Sequence, residues 1–144
     1  MRPATLAEAI ERIHAGEARE HALPEFLDEF YLASTPERQL AMLSDEPALT
    51  GEQRLDALAG AVAEYLARQY GLSRIPSWCF GPQRYLDRAW HTSPFTGDGF
   101  REYLTFASPA EFSSRNIFTE ERPLRRARSG LRRSSAVPER SSAS

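Results

Sequence analysis

Lysine is absent from the sequence, and all 18 basic residues are arginine. The usual phosphate-binding loop needs a lysine after its last glycine, and no Gly-x-Gly-x-x-Gly pattern takes its place. Nucleotide binding therefore has no support. The preference for arginine, together with abundant alanine, is typical of a GC-rich coding sequence, so we do not interpret it as a sign of RNA binding.

Cysteine occurs once, as Cys79, so no disulfide bond can form within the chain. Its neighbours are Trp78 and Phe80, whereas reactive thiols need an electropositive and partly exposed setting. We therefore expect Cys79 to be a buried apolar residue. Long apolar runs are missing as well, and the first residues lack the basic-then-apolar pattern of a secretion signal. These features predict a cytoplasmic protein without a membrane-spanning segment.

Motifs for metal binding and hydrolysis are also missing. His14 and His21 are seven residues apart, but Gly16 interrupts a helix that could bring them together, and no His-Glu-x-x-His motif adds ligands. The sequence contains no Gly-x-Ser-x-Gly motif of a serine hydrolase. We therefore expect no metal site and no cofactor.

One histidine leaves an enzymatic alternative open. His91 lies in a loop, with Asp87 and Asp98 close to it in sequence. A histidine oriented by a carboxylate can act as a general acid or base, but here only scattered serines are available as nucleophiles. A small enzyme that uses His91 with Asp87 or Asp98 is therefore the alternative to a non-catalytic function.

Charge is distributed unevenly along the chain. Residues 1–121 contain 11 arginines against 19 acidic residues, net −8, whereas residues 122–144 contain 7 arginines against Glu139 alone, net +6. The second segment, which we call the basic tail, has too few apolar residues to offset the entropy of ordering, and we expect disorder from about residue 126. We expect a domain over residues 5–121, and nucleic-acid binding only through the basic tail.

Periodic apolar residues and helix caps predict four helices in the first half. Thr5 and Glu8 have capping-box spacing, and so do Thr50 and Gln53. The four predicted helices cover about residues 5–15, from Leu23-Pro24 to Ala33, from Pro36 to Asp45, and 51–70. The last of these is the longest and should form the centre of the core.

The second half is rich in aromatic residues and turns. We expect loops over residues 75–82 and 90–99, a short helix over 82–88, a helix or strand over 100–107, and a one- or two-turn helix capped by Ser108. No pair of strands joined by a hairpin turn is visible. The predicted fold class is a mainly α-helical, compact single domain with a long central helix, an aromatic-rich irregular second half and a disordered basic C-terminal tail.

The predicted surfaces of the third and fourth helices are acidic. The two helices could be mistaken for a helix-turn-helix, but we expect Glu37, Glu52, Asp56 and Glu64 to be exposed on them. A helix that reads a DNA groove needs a basic face. We therefore do not expect the domain itself to recognise duplex DNA.

Two further groups of residues are candidates for an interaction site. Trp78 and Trp90 lie in loops, where such rings either fill a core or anchor an interface. Arg115 and Asn116 follow the last predicted helix. We expect Arg115 to pair with an acidic side chain of the domain and Asn116 to adopt a left-handed or turn conformation, with a direct functional role as the alternative.

Several segments of the chain resemble a family of small, uncharacterised bacterial proteins. The resemblance is carried by residues 23–33 (LPEFLDEFYLA), 61–72 (AVAEYLARQYGL), 75–78 (IPSW), 84–91 (RYLDRAWH) and 108–118 (SPAEFSSRNIF). Members of this family resemble companions of nucleotidyltransferase-like proteins, in an arrangement similar to toxin–antitoxin pairs. The resemblance implies an antitoxin-like role and supplies no catalytic residues that could be assigned to this chain.

Taken together, these features predict a non-catalytic protein-interaction or regulatory module. Its acidic helical surface would face a basic protein partner, with Glu25, Asp28 and Glu29 steering the association and Trp78 or Trp90 anchoring it. No membrane partner is expected.

Overall fold

The computed structural model describes residues 2–92 and 108–119. The predictions for residues 100–107, for Asp98 and for the basic tail fall outside these ranges. Within them the protein is mainly helical, and a long central helix forms the core as predicted. No helix in the described part of the chain combines the length and the apolar character needed to cross a bilayer.

The described helices and strands are few and short apart from α2 and α4. The helices are α1 (Leu6–His14), α2 (Arg19–Leu32), α3 (Pro36–Ser44), α4 (Gln53–Gln69) and α5 (Ala110–Ser113). Two 3₁₀ turns cover Ser77–Phe80 and Pro82–Arg84, and two strands, β1 and β2, cover Trp90–His91 and Ile117–Phe118.

The first helix begins at the cap that the sequence predicts. The hydroxyl of Thr5 accepts a hydrogen bond from the Glu8 N–H at 3.1 Å, and the Glu8 carboxylate accepts one from the Ala4 N–H at 2.9 Å. Gly16 follows the helix with a φ of 118°, a conformation that favours glycine. The predicted start and end of α1 are therefore confirmed to within one residue.

The predicted start of the second helix is wrong. Helix α2 begins at Arg19, one turn before Leu23-Pro24, so that Pro24 lies inside it. Proline has no N–H to donate to the carbonyl four residues earlier and normally favours the first turn. Burial of Ala22 and Leu23 against the core stabilises the additional turn and outweighs that local preference.

The predicted cap of the fourth helix is also wrong. Helix α4 begins at Gln53, and the carboxylate of Asp56 accepts hydrogen bonds from the N–H and the hydroxyl of Thr50 at 3.0 and 2.8 Å and from the Gly51 N–H at 3.3 Å. An ionised carboxylate is a stronger acceptor than a neutral amide. Asp56 therefore holds the preceding turn, instead of the Thr50 and Gln53 pair.

Helix α4 is buried around most of its circumference. It packs against α1 on one side and against α5 and both 3₁₀ turns on the other. Small residues allow this close approach on several sides, and the buried ones are Ala57, Ala59, Gly60, Ala61, Ala63 and Ala67. The helix is thus the centre around which the N-terminal helices and the C-terminal segment assemble.

The C-terminal segment returns to the domain through a short parallel strand pair. Trp90 pairs with Ile117 and His91 with Phe118. The sequence does not reveal this pair because no hairpin turn joins the two strands, which come from separate parts of the chain. The predicted helix over residues 82–88 stops at Arg84, since Tyr85 is extended and the Leu86 N–H donates to the carbonyl of Arg115 at 3.2 Å.

Candidate functional site

Arg115 is completely buried and binds three separate parts of the chain. Its guanidinium donates from Nη1 to Glu64 Oε1 and to the carbonyl of Glu111, and from Nη2 to the carbonyl of Cys79, each at 2.7 Å. The predicted pairing of Arg115 with an acidic side chain is therefore confirmed, and its partner is Glu64 on α4. Buried charges are tolerated when they are paired and hydrogen-bonded in this way.

Aromatic rings and a glycine complete the site of Arg115. The guanidinium carbon lies 4.7 Å from the ring centre of Tyr85 and 6.0 Å from that of Phe80. Its Nε has no hydrogen-bond partner among the described residues and lies beside Gly60, where an added Cβ would be 3.1 Å away. Gly60 thus provides the space that lets the side chain lie against α4.

A second buried arginine, Arg84, also lies beside Gly60, where an added Cβ would be 3.0 Å from Arg84 Cβ. Arg84 donates from Nη2 to the carbonyl of Pro47 at 2.7 Å and to Glu46 Oε2 at 3.2 Å, and from Nη1 to the carbonyl of Asp56 at 3.3 Å. Its guanidinium carbon is 4.9 Å from the ring centre of Trp78. Arg84 and Arg115 therefore connect α4 to segments that precede and follow it.

Two acidic residues predicted to be exposed are buried. Asp56 is 4% exposed and Glu64 is 6% exposed. The prediction was wrong because it treated α4 as a helix with one apolar face, whereas both carboxylates have charged or N–H donors inside the fold. They do not contribute to an acidic surface.

Asn116 has the left-handed conformation that the sequence predicts, with a φ of 65°. Its side-chain amide donates to the carbonyl of Leu86 at 2.7 Å, and its own carbonyl accepts from the Trp90 N–H at 2.8 Å. The Arg115-Asn116 pair therefore joins the C-terminal segment to residues 86–90 and to α4. The contacts that the structure gives for Arg115 and Asn116 are all with other residues of the same chain.

Both tryptophans make extensive contacts with their own chain. Trp90 is 9% exposed, and the guanidinium carbons of Arg19 and Arg54 each lie 5.2 Å from its ring centre. Trp78 is half-buried, and its indole N–H donates to the carbonyl of Leu43 at 3.0 Å. These contacts leave little of the Trp90 ring for a partner.

Three carboxylates on α2 lie around the guanidinium of Arg2, and we call them the α2 carboxylates. Arg2 Nη1 is 2.9 Å from Glu29 Oε2, Arg2 Nη2 is 4.0 Å from Asp28 Oδ2, and Arg2 Nε is 3.9 Å from Glu25 Oε1. Asp28 is buried, whereas the side chains of Glu25 and Glu29 are 38% and 40% exposed. Their positions follow from the i, i+3, i+4 spacing on one helix face.

The histidines occupy three separate environments. His14 Nδ1 is 2.7 Å from Glu52 Oε2, and His21 Nδ1 is 3.3 Å from Glu17 Oε2. The His91 ring stacks on Phe118 with ring centres 5.1 Å apart, and in the described part of the chain no hydrogen bond joins His91 to a carboxylate. Within residues 2–92 and 108–119, no three His, Cys, Asp or Glu side chains form a group that could hold a metal ion.

Cys79 is buried, as the sequence predicts. Burial raises the pKa of its thiol from 9.0 to about 12, against the smaller opposing influence of the Arg115 guanidinium. The thiol is therefore neutral at physiological pH and poorly suited to nucleophilic chemistry.

Three residues that complete these sites have no signature in the sequence that marks them as site residues. Arg2, Arg84 and Glu64 are not distinguished by any motif, and the last pairs with a residue 51 positions away. One usable signal was present: the run of small residues in α4 indicates a helix packed on several sides, on which polar residues must find partners inside the protein. Searches with this chain against protein-family models, curated proteins and solved structures returned no match.

Proposed function

We propose that this protein is a non-catalytic interaction module that binds a basic protein partner through the α2 carboxylates. The observation that carries the proposal is the convergence of Glu25, Asp28 and Glu29 on one guanidinium. The same arrangement suits an arginine side chain on another protein, because carboxylates form charge-assisted hydrogen bonds with the guanidinium fork. Glu25 and Glu29 remain partly exposed and accessible to such a partner.

Arg2 has a specific role in this proposal. Its side chain is 35% exposed and offsets the mutual repulsion of the three carboxylates in the free protein. A partner arginine that reaches Glu29 would compete with Arg2 for the same oxygen atoms. Removing Arg2 should therefore strengthen binding of the partner, whereas removing Glu29 should weaken it.

The contacts of the other candidate residues support a non-catalytic reading. Arg115 and Asn116 bind within the chain, and Trp90 is largely covered, so the proposal gives these three residues a structural role. The His91 ring stacks on Phe118, a contact that supports packing of the strand pair more directly than proton transfer. In this proposal the α2 carboxylates determine how fast the partner associates, because charged groups at an interface mainly affect the rate of diffusional encounter.

The family resemblance supports a finer proposal about the partner. In this proposal the partner is a nucleotidyltransferase-like companion, and the present protein neutralises it as the antitoxin-like half of a two-protein system. A basic surface on that companion would complement the α2 carboxylates.

The test begins with recovery of the tagged full-length protein from its native host and purification of any stoichiometric companion. Binding of the purified pair is then measured by surface plasmon resonance for the wild-type protein, for E25R/E29R and for E37R. Glu37 is an exposed glutamate on α3, so E37R has a related charge change away from α2.

We expect E25R/E29R to slow association at least about tenfold and to reduce its salt dependence, because charge steering depends on ionic strength. E37R should bind nearly as the wild type does. Equal losses for both variants, unchanged binding by E25R/E29R, or repeated recovery of the protein without a companion would overturn the proposal.

A further inference from the structure

A cleft of about 450 Å³ lies between α1 and the segment that joins α3 to α4. We call it the α1 cleft. Its rim carries the carboxylates of Glu8, Glu11 and Glu46, and its apolar lining includes Ala7, Ala48 and Leu49. The cleft is separate from the α2 carboxylates. None of its described lining residues is an arginine, although Arg12 Nη2 lies 2.6 Å from the Glu8 carboxylate.

The rim of the α1 cleft carries three carboxylates and the imidazole of His14. The Ala4 N–H and then Arg12 lower the pKa of Glu8, so this carboxylate is ionised. Glu46 pairs with the buried Arg84, whereas Glu11 is exposed and forms no ion pair within residues 2–92 and 108–119. A cationic ligand would supply Glu11 with a counter-charge.

The α1 cleft also exposes apolar side chains to solvent. Leu49 is 50% exposed, although it lies beside the alanines of the cleft rather than on an isolated convex surface. Burying such a side chain would stabilise a complex in proportion to the area removed from water. The ligand that fits is therefore both cationic and partly apolar.

The chain contains a segment with this chemistry. Residues 122–133, RPLRRARSGLRR, have six arginines, two leucines and no acidic residue. Residues 120–133 follow the last described residue, Thr119, and fully extended they could reach about 45 Å, which exceeds the diameter of a domain of this size. Charge complementarity and reach thus both permit contact with the cleft of the same molecule.

We propose that residues 122–133 dock in the α1 cleft of their own chain, with arginines on the carboxylate rim and a leucine against Leu49. Exposed ion pairs are individually weak and are screened by salt. Covalent attachment supplies an effective concentration on the order of millimolar, which allows weak contacts to be populated. The docked segment would neutralise the cleft and withhold the tail's arginines from nucleic acid or other acidic partners.

The experiment places a nitroxide spin label on the full-length chain at S129C and measures intensities of the backbone amide signals by NMR. Cys79 is buried with a pKa of about 12, so the label should react with the introduced cysteine alone. A mock-labelled unsubstituted chain checks this. The same label is placed in the E11R and L49S variants and in the matched E37R control.

At low salt, the amide signals of residues 7–14, 46 and 48–50 should lose most of their intensity. They should recover at about 1 M salt, where the Debye length is near 3 Å. E11R and L49S should restore these signals, whereas E37R should not. Both substituted side chains are exposed, and retained spectra of the remaining residues will show that the variants are folded.

Three outcomes would overturn the proposal. Broadening confined to α2 would place the basic segment on the α2 carboxylates instead, and the absence of any local broadening would mean that the segment does not dock. Broadening in a mixture of ¹⁵N-labelled chains without nitroxide and unlabelled chains with nitroxide would identify a second copy as the source of the segment. The NMR experiment uses this protein alone, so its outcome is independent of the companion protein in the proposed function.

Discussion

Nη1 of Arg115 lies 2.7 Å from Oε1 of Glu64, and this buried ion pair joins residues 51 positions apart in the chain. Glu64 is also 2.9 Å from Arg68, which in turn lies 3.5 Å from Glu111. The C-terminal segment is thus attached to the central helix by charge as well as by apolar packing. Removing one partner would leave the other charge buried without compensation.

The ion pair leads to a prediction about Glu64. E64A should lower the free energy of unfolding by about 3–5 kcal/mol, because the Arg115 guanidinium would lose its buried counter-charge. The measurement is urea denaturation at pH 7. The control is R68A, which removes a 54% exposed arginine from the same carboxylate and should cost less than about 1 kcal/mol. Equal losses in the two variants would contradict the assignment.

For the substitution of Gly60 by alanine, we predict a change in stability opposite to the one that helix propensity alone would give. Alanine normally favours a helix interior by about 1 kcal/mol over glycine. At Gly60, however, the new Cβ would lie 3.0 Å from Arg84 Cβ, 3.1 Å from Arg115 Nε and 3.2 Å from the carbonyl of Cys79. G60A should therefore destabilise the protein by about 1–3 kcal/mol, as overpacking does.

The matched control for this substitution is G81A, since the nearest atom to a Cβ at Gly81 is 3.5 Å away. Thermal unfolding should show a lower midpoint for G60A and a change of no more than about 0.5 kcal/mol for G81A. A stabilised G60A variant would show that the arginine side chains move away without penalty.

Asn116 allows backbone strain to be separated from a side-chain hydrogen bond. N116A loses the bond to the Leu86 carbonyl and must also hold alanine at a φ of 65°. N116G loses the same bond and raises the entropy of the unfolded chain, but it adopts this φ without strain. N116A should therefore be less stable than N116G by about 1–2 kcal/mol. Chemical denaturation of both variants measures this difference. Equal stability of the two variants would show that the left-handed conformation at residue 116 does not penalise alanine.

The raised pKa of Cys79 leads to a prediction about the stability of the protein at alkaline pH. The thiol of the unfolded chain loses its proton near pH 9.0, whereas the folded chain retains it up to about pH 12. Above pH 9.0 the unfolded state therefore binds fewer protons, and this residue contributes a loss of stability as the pH rises. Below pH 9.0 both states are protonated and the contribution vanishes.

The measurement for Cys79 is urea denaturation of the wild type and C79A at pH 7.5 and pH 10.5. The wild type should lose more stability than C79A between these two conditions. In a second measurement, a thiol reagent at pH 8 should modify the wild type only after denaturation. Parallel losses in the two proteins, or rapid labelling of the folded chain, would show that the thiol is accessible.

Local patterns account for the parts of the fold that sequence reasoning predicted correctly. Thr5 caps α1 by accepting a hydrogen bond from the Glu8 N–H, a contact that the spacing of the two residues predicts. The left-handed conformation of Asn116 was likewise predictable, because asparagine tolerates it better than most residues. Ser108 was assigned as a helix cap, but its hydroxyl bonds the backbone of Thr119 instead.

Errors occurred where contacts between distant segments outweigh local preference. The start of α2 was misplaced because Pro24 favours a first turn locally, whereas burial of the preceding turn decides the outcome. Their charge predicts that Asp56 and Glu64 are exposed, whereas both are buried because Thr50 and Arg115 supply their hydrogen-bond donors. No spacing rule connects residues such as Trp90 and Ile117, which pair across the fold.

By itself the sequence determined the helical class, the approximate extents of α1, α3 and α4, and the opposite charges of the domain and the basic tail. These properties depend on the order and type of neighbouring residues. Only the tertiary structure decided which charges are buried, that Arg84 and Arg115 both lie beside Gly60, and that Arg2 binds the α2 carboxylates. The physical reason is that burying a charge is favourable only when a counter-charge or hydrogen-bond partner is already in place, and here folding supplies those partners from distant positions.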